Sequence, residues 1–169
     1  MKSINEIVKE VVAEVSQETG RNVSFLFGDW DYIANQLVLW GTSSHAWKKY
    51  PIICMRSPVN ETRKGTEREM TLDIAILVNT LKDYTNEQRE AESFVKILRP
   101  IYDKFMKALN NHKMVKSAYN GMLSHTYTEN YRYGRLGLNG GDDKKFKDYV
   151  DAIEINNLSV TIKKFKCYE

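Results

Sequence analysis

Cysteine, proline and histidine are all scarce in this chain: its 169 residues contain two cysteines, three prolines and three histidines. Two cysteines cannot make the disulfide framework on which small secreted domains depend. Cys54 lies inside the apolar run PIICM and reads as a small core residue. Its only possible partner is Cys167, and a reducing compartment is expected. His45, His112 and His125 are far apart, with no histidine or cysteine at ligand spacing, so no zinc site is expected. No apolar run approaches the ~20 residues of a membrane span. The N-terminal MKSINEIVKEVVAEV carries charges throughout its apolar pattern, unlike a signal peptide. A soluble protein, intracellular at synthesis, is expected. Charge of one sign is lacking too: 25 basic residues against 22 acidic leave a net +3. That balance is too even to argue for nucleic-acid binding on its own. Lys144, Lys145, Lys147, Lys163, Lys164 and Lys166 make the C-terminal quarter locally basic. Asp142, Asp143, Asp148 and Asp151 offset them, as on a solvated face.

The glycines gather in GRLGLNGGDD, as Gly134, Gly137, Gly140 and Gly141. A dinucleotide fingerprint needs G-x-G-x-x-G, and a phosphate loop needs Lys-Ser/Thr after its last glycine. Asp142 and Asp143 follow instead, and carboxylates repel phosphate. The stretch reads as a flexible loop, and no cofactor is expected.

Around it the chain is ordered by periodicity. Ser3 and Glu6 form a capping box ahead of Ile4, Ile7, Val8, Val11, Val12 and Val15, a helical stripe that Gly20 ends. NVSFLF reads as a strand, a helix follows from about Asp31, and IICMR is a second strand. VNETRKGTERE is polar and contains Gly65, as in a turn or exposed loop. In REMTLDIAILVNT, residues Met70, Leu72, Ile74, Ile76 and Val78 alternate with others, placing one face on a core and pairing antiparallel with IICMR. Thr85 and Gln88 form a second capping box. It opens a long helix with Ala91, Phe94, Val95, Leu98, Ile101, Tyr102, Phe105, Met106 and Leu109 in phase, kinked at Pro100. Residues 111–141 are rich in tyrosine, asparagine and glycine with weak periodicity. FKDYVDAIEI and LSVTIKKF are strand-like segments turning at Asn156-Asn157. The expected architecture is one α+β domain over residues 1–169. A small antiparallel or mixed sheet carries the N-terminal and long central helices on one face, with a C-terminal hairpin and a polar extension at about 111–141.

Candidate chemistry is sparse. Asp29 and Asp31 suit a helix start, where carboxylates cap orphan N–H groups. Asp73, Asp151 and Glu154 on strands define the alternative of a magnesium-dependent nuclease, without the lysine such clusters usually add. The lysine clusters with nearby tyrosines define a second alternative, a small nucleic-acid-binding module. No serine lies in a nucleophile elbow.

KKYPIICMRSP, ILRPIYDKFMKAL and KDYVDAIEINNLSVTI, in this order, resemble small virion proteins of tailed phages, above all those of phages infecting Bacteroides-like gut bacteria. The element order resembles tail-terminator or tail-completion proteins, over roughly residues 30–163. That resemblance implies a structural virion protein at the head–tail junction with no catalysis, cofactor or metal. It implies a homo-oligomeric ring through which DNA passes without sequence recognition. The neighbours would be portal or connector and tail-tube proteins, with no membrane involved. Subunit contacts are expected from segments with no core to join: Arg63 and Lys64 in the first loop, and Tyr127, Tyr131, Arg132, Tyr133, Arg135, Leu136 and Leu138 in the second. Tyrosine and arginine are enriched in such contacts.

Overall fold

Helix α1 (Ile4–Thr19) begins where the capping box places it. The Glu6 N–H donates to Ser3 Oγ at 3.2 Å, and the Ser3 N–H donates to Glu6 Oε2 at 2.6 Å. Ile7, Val8, Val11, Val12 and Val15 are buried, and Gly20 ends the helix at φ 64°. The computed structural model describes residues 2–42, 44, 46–133 and 148–163. Strand β1 (Ser24–Gly28) leads into α2 (Trp30–Gly41), whose N-cap Asp29 accepts from the Tyr32 N–H at 2.8 Å. Gly28 makes the strand-to-helix turn at φ 148°, and a Cβ there would lie 2.7 Å from Tyr32 Cδ1.

The strands β2 (Ile52–Arg56), β3 (Asn60–Lys64) and β4 (Glu67–Asn79) follow. β2 pairs antiparallel with β4, as the sequence predicts. The intervening polar stretch is more than a loop. β3 pairs with Glu67–Thr71 of β4 through a hairpin turned at Gly65, φ 55°. β5 (Thr126–Asn130) and β6 (Val150–Lys163) complete a six-stranded sheet in the order β1-β2-β4-β6-β5, with β3 beside β4. Only β1 and β2 run parallel, as a β-strand, helix, β-strand crossover through α2 requires.

A C-terminal strand pair is present, but it is β5 with β6; the two segments expected to turn back on each other at Asn156-Asn157 form one continuous strand, β6. Asn156 and Asn157 lie inside it at a β-bulge. Asp73 alone on β4 stands opposite both, between the pairs Leu72↔Leu158 and Ile74↔Ile155. Ile153 and Ile155 are odd-numbered while Leu158, Val160 and Ile162 are even. One extra residue shifts the alternation so that both sets face the same core. Asn157 adopts φ 54°, and its N–H donates to Asp73 Oδ1 at 3.0 Å.

α3 (Asn86–Arg89) opens with the Thr85 capping box, Gln88 N–H to Thr85 Oγ1 at 3.2 Å. The chain then takes a π-helical path over Glu90–Leu98 before α4 (Arg99–Asn111). Pro100 neither breaks nor ends the helix. It sits in the first turn of α4, and the departure from α geometry lies upstream. Proline has no N–H for the Lys96 carbonyl four residues back, and Arg21 Nη2 donates to that oxygen at 3.4 Å. The wider turn, with i→i+5 bonds, also corrects the predicted apolar face. Val95 is 53% exposed and Ala91 is exposed, whereas Arg89 and Ser93 are buried with Phe94 and Leu98. Residues 112–133 also differ from expectation, because they do join the core. Met114, Val115 and Leu123 pack on the main cluster, and Tyr133 is fully enclosed.

The sheet is covered on both faces. α1, the π-helical segment and α4 bury Ile53, Met55, Ile74, Ile76, Ile153 and Val160. α2 buries Ile52, Cys54, Ala75, Leu77 and Ala152 on the other, with Ile33 and Leu37. Among the described residues, no helix is long and apolar enough to cross a membrane.

Within the first face sits one fully buried ion pair. Arg89 Nη1 donates to Asp151 Oδ1 at 2.9 Å, and both side chains have 0% exposure. Arg89 also donates to Thr80 Oγ1 and to the carbonyls of Leu81, Lys82 and Tyr84. Ser93 Oγ and the Arg132 N–H donate to Asp151. Asp151→Asn leaves a buried guanidinium unpaired and is expected to cost about 3–5 kcal/mol in urea denaturation, with the double change to Arg89→Met and Asp151→Leu recovering part of the loss. At the bulge, Asn157→Val is expected to cost about 1–2 kcal/mol because a β-branched residue resists the left-handed conformation. Asn157→Gly should be close to neutral in the same assay.

Candidate assembly surfaces

The sheet offers three strands with a side not taken by another described strand, and their chemistry differs. β3 reads NETRK and is guarded by charge. Arg63 is 81% exposed and donates to Glu61 at 2.7 Å. Lys64 pairs with Glu69 at 2.8 Å, which raises the lysine pKa. Arg68 binds Glu61 at 3.2 Å and the Lys2 carbonyl at 3.0 Å, anchoring the hairpin to the start of α1. Exposed pairs of this kind add little stability. They mainly keep the hairpin soluble while leaving Arg63 and Lys64 outward, as the sequence predicts.

β5 carries the tyrosines. Arg99 on α4 bridges Glu129 (2.7 Å) and Glu90 (2.7 Å). Tyr127 donates to Glu129 and Tyr131 to Glu90. Tyr131 also packs on Phe94, centroids 4.5 Å apart, and burial followed by the hydrogen bond to Glu90 pushes its phenol up to about 12. Tyr102 stands edge-on to Tyr127 at 4.8 Å, and its hydroxyl meets His125 Nε2 at 2.7 Å. His125 Nδ1–H donates to the Leu123 carbonyl at 2.7 Å. Tyr127 remains 39% exposed at this surface, and Arg132 is exposed at φ 57°. Tyr133 is different. It has no exposed surface, its hydroxyl donates to Glu154 at 3.2 Å, and its ring meets Trp30 edge-on at 6.1 Å. It is a core residue and offers nothing to a neighbouring subunit. Arg135, Leu136, Leu138 and the glycine loop Gly134–Gly141 lie outside the described residues.

β1 was not singled out by its sequence. It reads SFLFG and carries no charge. Phe25 and Phe27 stack with centroids 6.0 Å apart, and Phe27 is 48% exposed. Two adjoining hollows, about 470 and 380 Å³, run past this strand and share Asn5, Phe27 and Tyr32. α1 supplies Glu6 and Lys9 to one wall, and Tyr32, also 48% exposed, comes from α2. Nothing in a five-residue apolar run separates an edge strand from a central one. The lone sequence signal was the contrast with the charged NETRK.

Of the three carboxylates of the nuclease alternative, Asp73 and Glu154 line one small hollow beside Arg56, and Asp151 does not join them. Asp73 Oδ2 binds Arg56 at 2.7 Å, and Glu154 accepts from Asn130 and Tyr133. Asp151 is on the opposite face, held by Arg89 and Ser93. Among the described residues no three histidine, cysteine or acidic side chains are grouped to hold a metal ion. Of the basic clusters, Lys163 ends β6. Lys144, Lys145, Lys147, Lys164 and Lys166 lie outside the described residues, as do His45 and Cys167. Cys54 is buried, and burial pushes its thiol well above the ordinary range. A scan against protein-family models finds no match for this chain, and a search of curated proteins finds none.

The Arg99 clamp has a pH signature. Arg99 lowers the Glu129 pKa, and Tyr131 with Arg99 lowers that of Glu90. A carboxyl with a depressed folded-state pKa stabilises the fold above its unfolded value, about 4.3. That contribution is lost as pH falls through the lower folded value. Amide protection in β5 is therefore expected to hold from pH 7 to about pH 4.3 and to fall below it, and Glu129→Gln should flatten that acid limb in hydrogen exchange.

Proposed function

We propose that this chain is a structural virion protein that assembles into a homo-oligomeric ring at the head–tail junction of a tailed phage. In this reading it terminates or completes the tail, or forms part of the connector, and works through contacts rather than catalysis. Its neighbours are portal or connector and tail-tube proteins, and DNA passes through the lumen without sequence recognition. The resemblance of KKYPIICMRSP, ILRPIYDKFMKAL and KDYVDAIEINNLSVTI supplies the phage context. The observation that carries the reading is a sheet covered by helices on both faces, with exposed side chains on its margins: Phe27 by β1, Arg63 and Lys64 on β3, Tyr127 on β5. Such a subunit grows sideways, and a contact that joins two different margins closes into a ring when its rotation allows.

The test is native mass spectrometry of the full chain with negative-stain imaging of the same sample. Closed rings are expected, and deletion of Gly134–Gly141 should reduce ring formation without changing the melting temperature. Rings that form equally well without that segment would remove it from the contact. Absence of rings alone and with a purified tail tube would overturn the reading.

A further inference from the structure

The geometry points to β1 as a self-pairing edge: two copies of this chain join β1 to β1 in antiparallel register about Leu26, making one continuous sheet across a two-fold axis. The backbone sets the register. In a parallel pair, alternate residues send both their N–H and C=O toward the neighbour. The Ser24 N–H donates to the Pro51 carbonyl at 3.1 Å, and the Gly28 carbonyl accepts from the Ser57 N–H at 2.9 Å. Ser24, Leu26 and Gly28 therefore face β2, and Phe25 and Phe27 point their backbone groups outward. Among the described residues, no strand pairs with that side.

An antiparallel partner bonds fully only where outward residues stand opposite outward residues. A two-fold axis at Leu26 does this. It sets Phe25 opposite Phe27 of the partner subunit and Phe27 opposite the partner's Phe25, each pair exchanging two hydrogen bonds. The side chains agree with the backbone, because Phe-Leu-Phe reads the same in both directions. Phe25 and Phe27 already stack on one face, so the pairing extends two rings into a four-ring layer.

Charge favours the same partner. Edge strands that must stay single are blunted by charged residues, as β3 is by Glu61, Arg63 and Lys64, whereas β1 has none. Two uncharged strands meet without repulsion. The α1 wall beside the groove carries Glu6 and Lys9, opposite charges one turn apart, so related walls meet with both signs present. The groove beside β1, about 380 Å³ and lined by Phe25, Leu26 and Phe27, leaves room for an added strand.

This pairing is independent of the phage reading. It fixes parity, since every subunit joined through β1 has one partner there. The test uses the full chain, its Phe27→Lys variant and native mass spectrometry. Phe27 is half-exposed, so the variant should keep the wild-type circular dichroism and melting temperature. Dimers, or larger assemblies of even number, are expected for the wild type, and at least a tenfold weaker dimer for Phe27→Lys. Hydrogen exchange gives a reading that needs no variant: the Phe25 and Phe27 amides should be protected at high protein concentration and exposed on dilution. A wild type that is monomeric throughout, an odd-numbered assembly, or free exchange at Phe25 and Phe27 in the assembled state would overturn it. An odd-numbered ring would leave the ring reading standing while removing this one, and a dimer without rings would do the reverse.

Discussion

Asp151 enters the core as a carboxylate on β6, on the face that also buries Ile153 and Ile155. An isolated charge at that depth costs many kilocalories of lost hydration. Arg89 offsets this, and its own five N–H groups are all engaged, by Asp151, Thr80 and the carbonyls of Leu81, Lys82 and Tyr84. The acceptors come from the turn that leaves β4, and the donor from the last residue of α3. Asp151 gathers Ser93 from the π-helical segment and the backbone of Arg132 beyond β5. Three stretches of the chain, the run from Thr80 to Ser93, Arg132 and Asp151, are thus tied to one point. A small error in any of them leaves a buried charge or carbonyl without its partner, so the network selects one arrangement of helix on sheet.

That network also explains where the sequence misleads. Arg89, Ser93 and Asp151 look like solvent-facing residues in a helix of period 3.6 and a strand of mixed polarity. The reading of Ala91 and Val95 as inward-facing follows from assuming that period. The structure widens the helix just where Arg89 and Ser93 must both face β6. Pro100 contributes from the other end, by withholding the N–H that α geometry would give to Lys96. A proline visible in sequence therefore marked an irregularity, but its location and form depended on contacts tens of residues away.

The bulge in β6 has the same character. The change of parity between Ile155 and Leu158 is legible in sequence, and a tight turn at two asparagines satisfies it as well as a bulge does. What decides is Asp73, across the sheet, which accepts the Asn157 N–H and gives the extra residue a place. Local periodicity could show that something happens at Asn156-Asn157, and only the partner strand shows what. By contrast the capping boxes at Ser3 and Thr85, the α1 stripe and the pairing of β2 with β4 were all readable, because each rests on interactions a few residues apart or on one long uninterrupted alternation. Among the interface candidates, Arg63 and Lys64 were legible as exposed charges on a hairpin. Tyr133 was misread because its partners, Trp30 and Glu154, are distant in the chain.

The acidic residues show how a fold constrains what its surface can do. Asp29 caps a helix, Asp73 secures a bulge, Asp151 anchors the core, and Glu129 and Glu90 hold Arg99. Each carboxylate already has donors, so recruiting one to new chemistry would cost the structure its present bonds. The exposed apolar groups at the β1 margin carry no such obligation. Phe27 and Tyr32 lie beside a strand whose outward N–H and C=O groups have no strand partner among the described residues, and covering them removes apolar surface from water while adding backbone bonds. With α1 and α4 over one face and α2 over the other, that cover has to arrive in the plane of the sheet. An in-plane contact would extend the existing ladder and leave the buried ion pair undisturbed, so it would not compete with the core for the same groups.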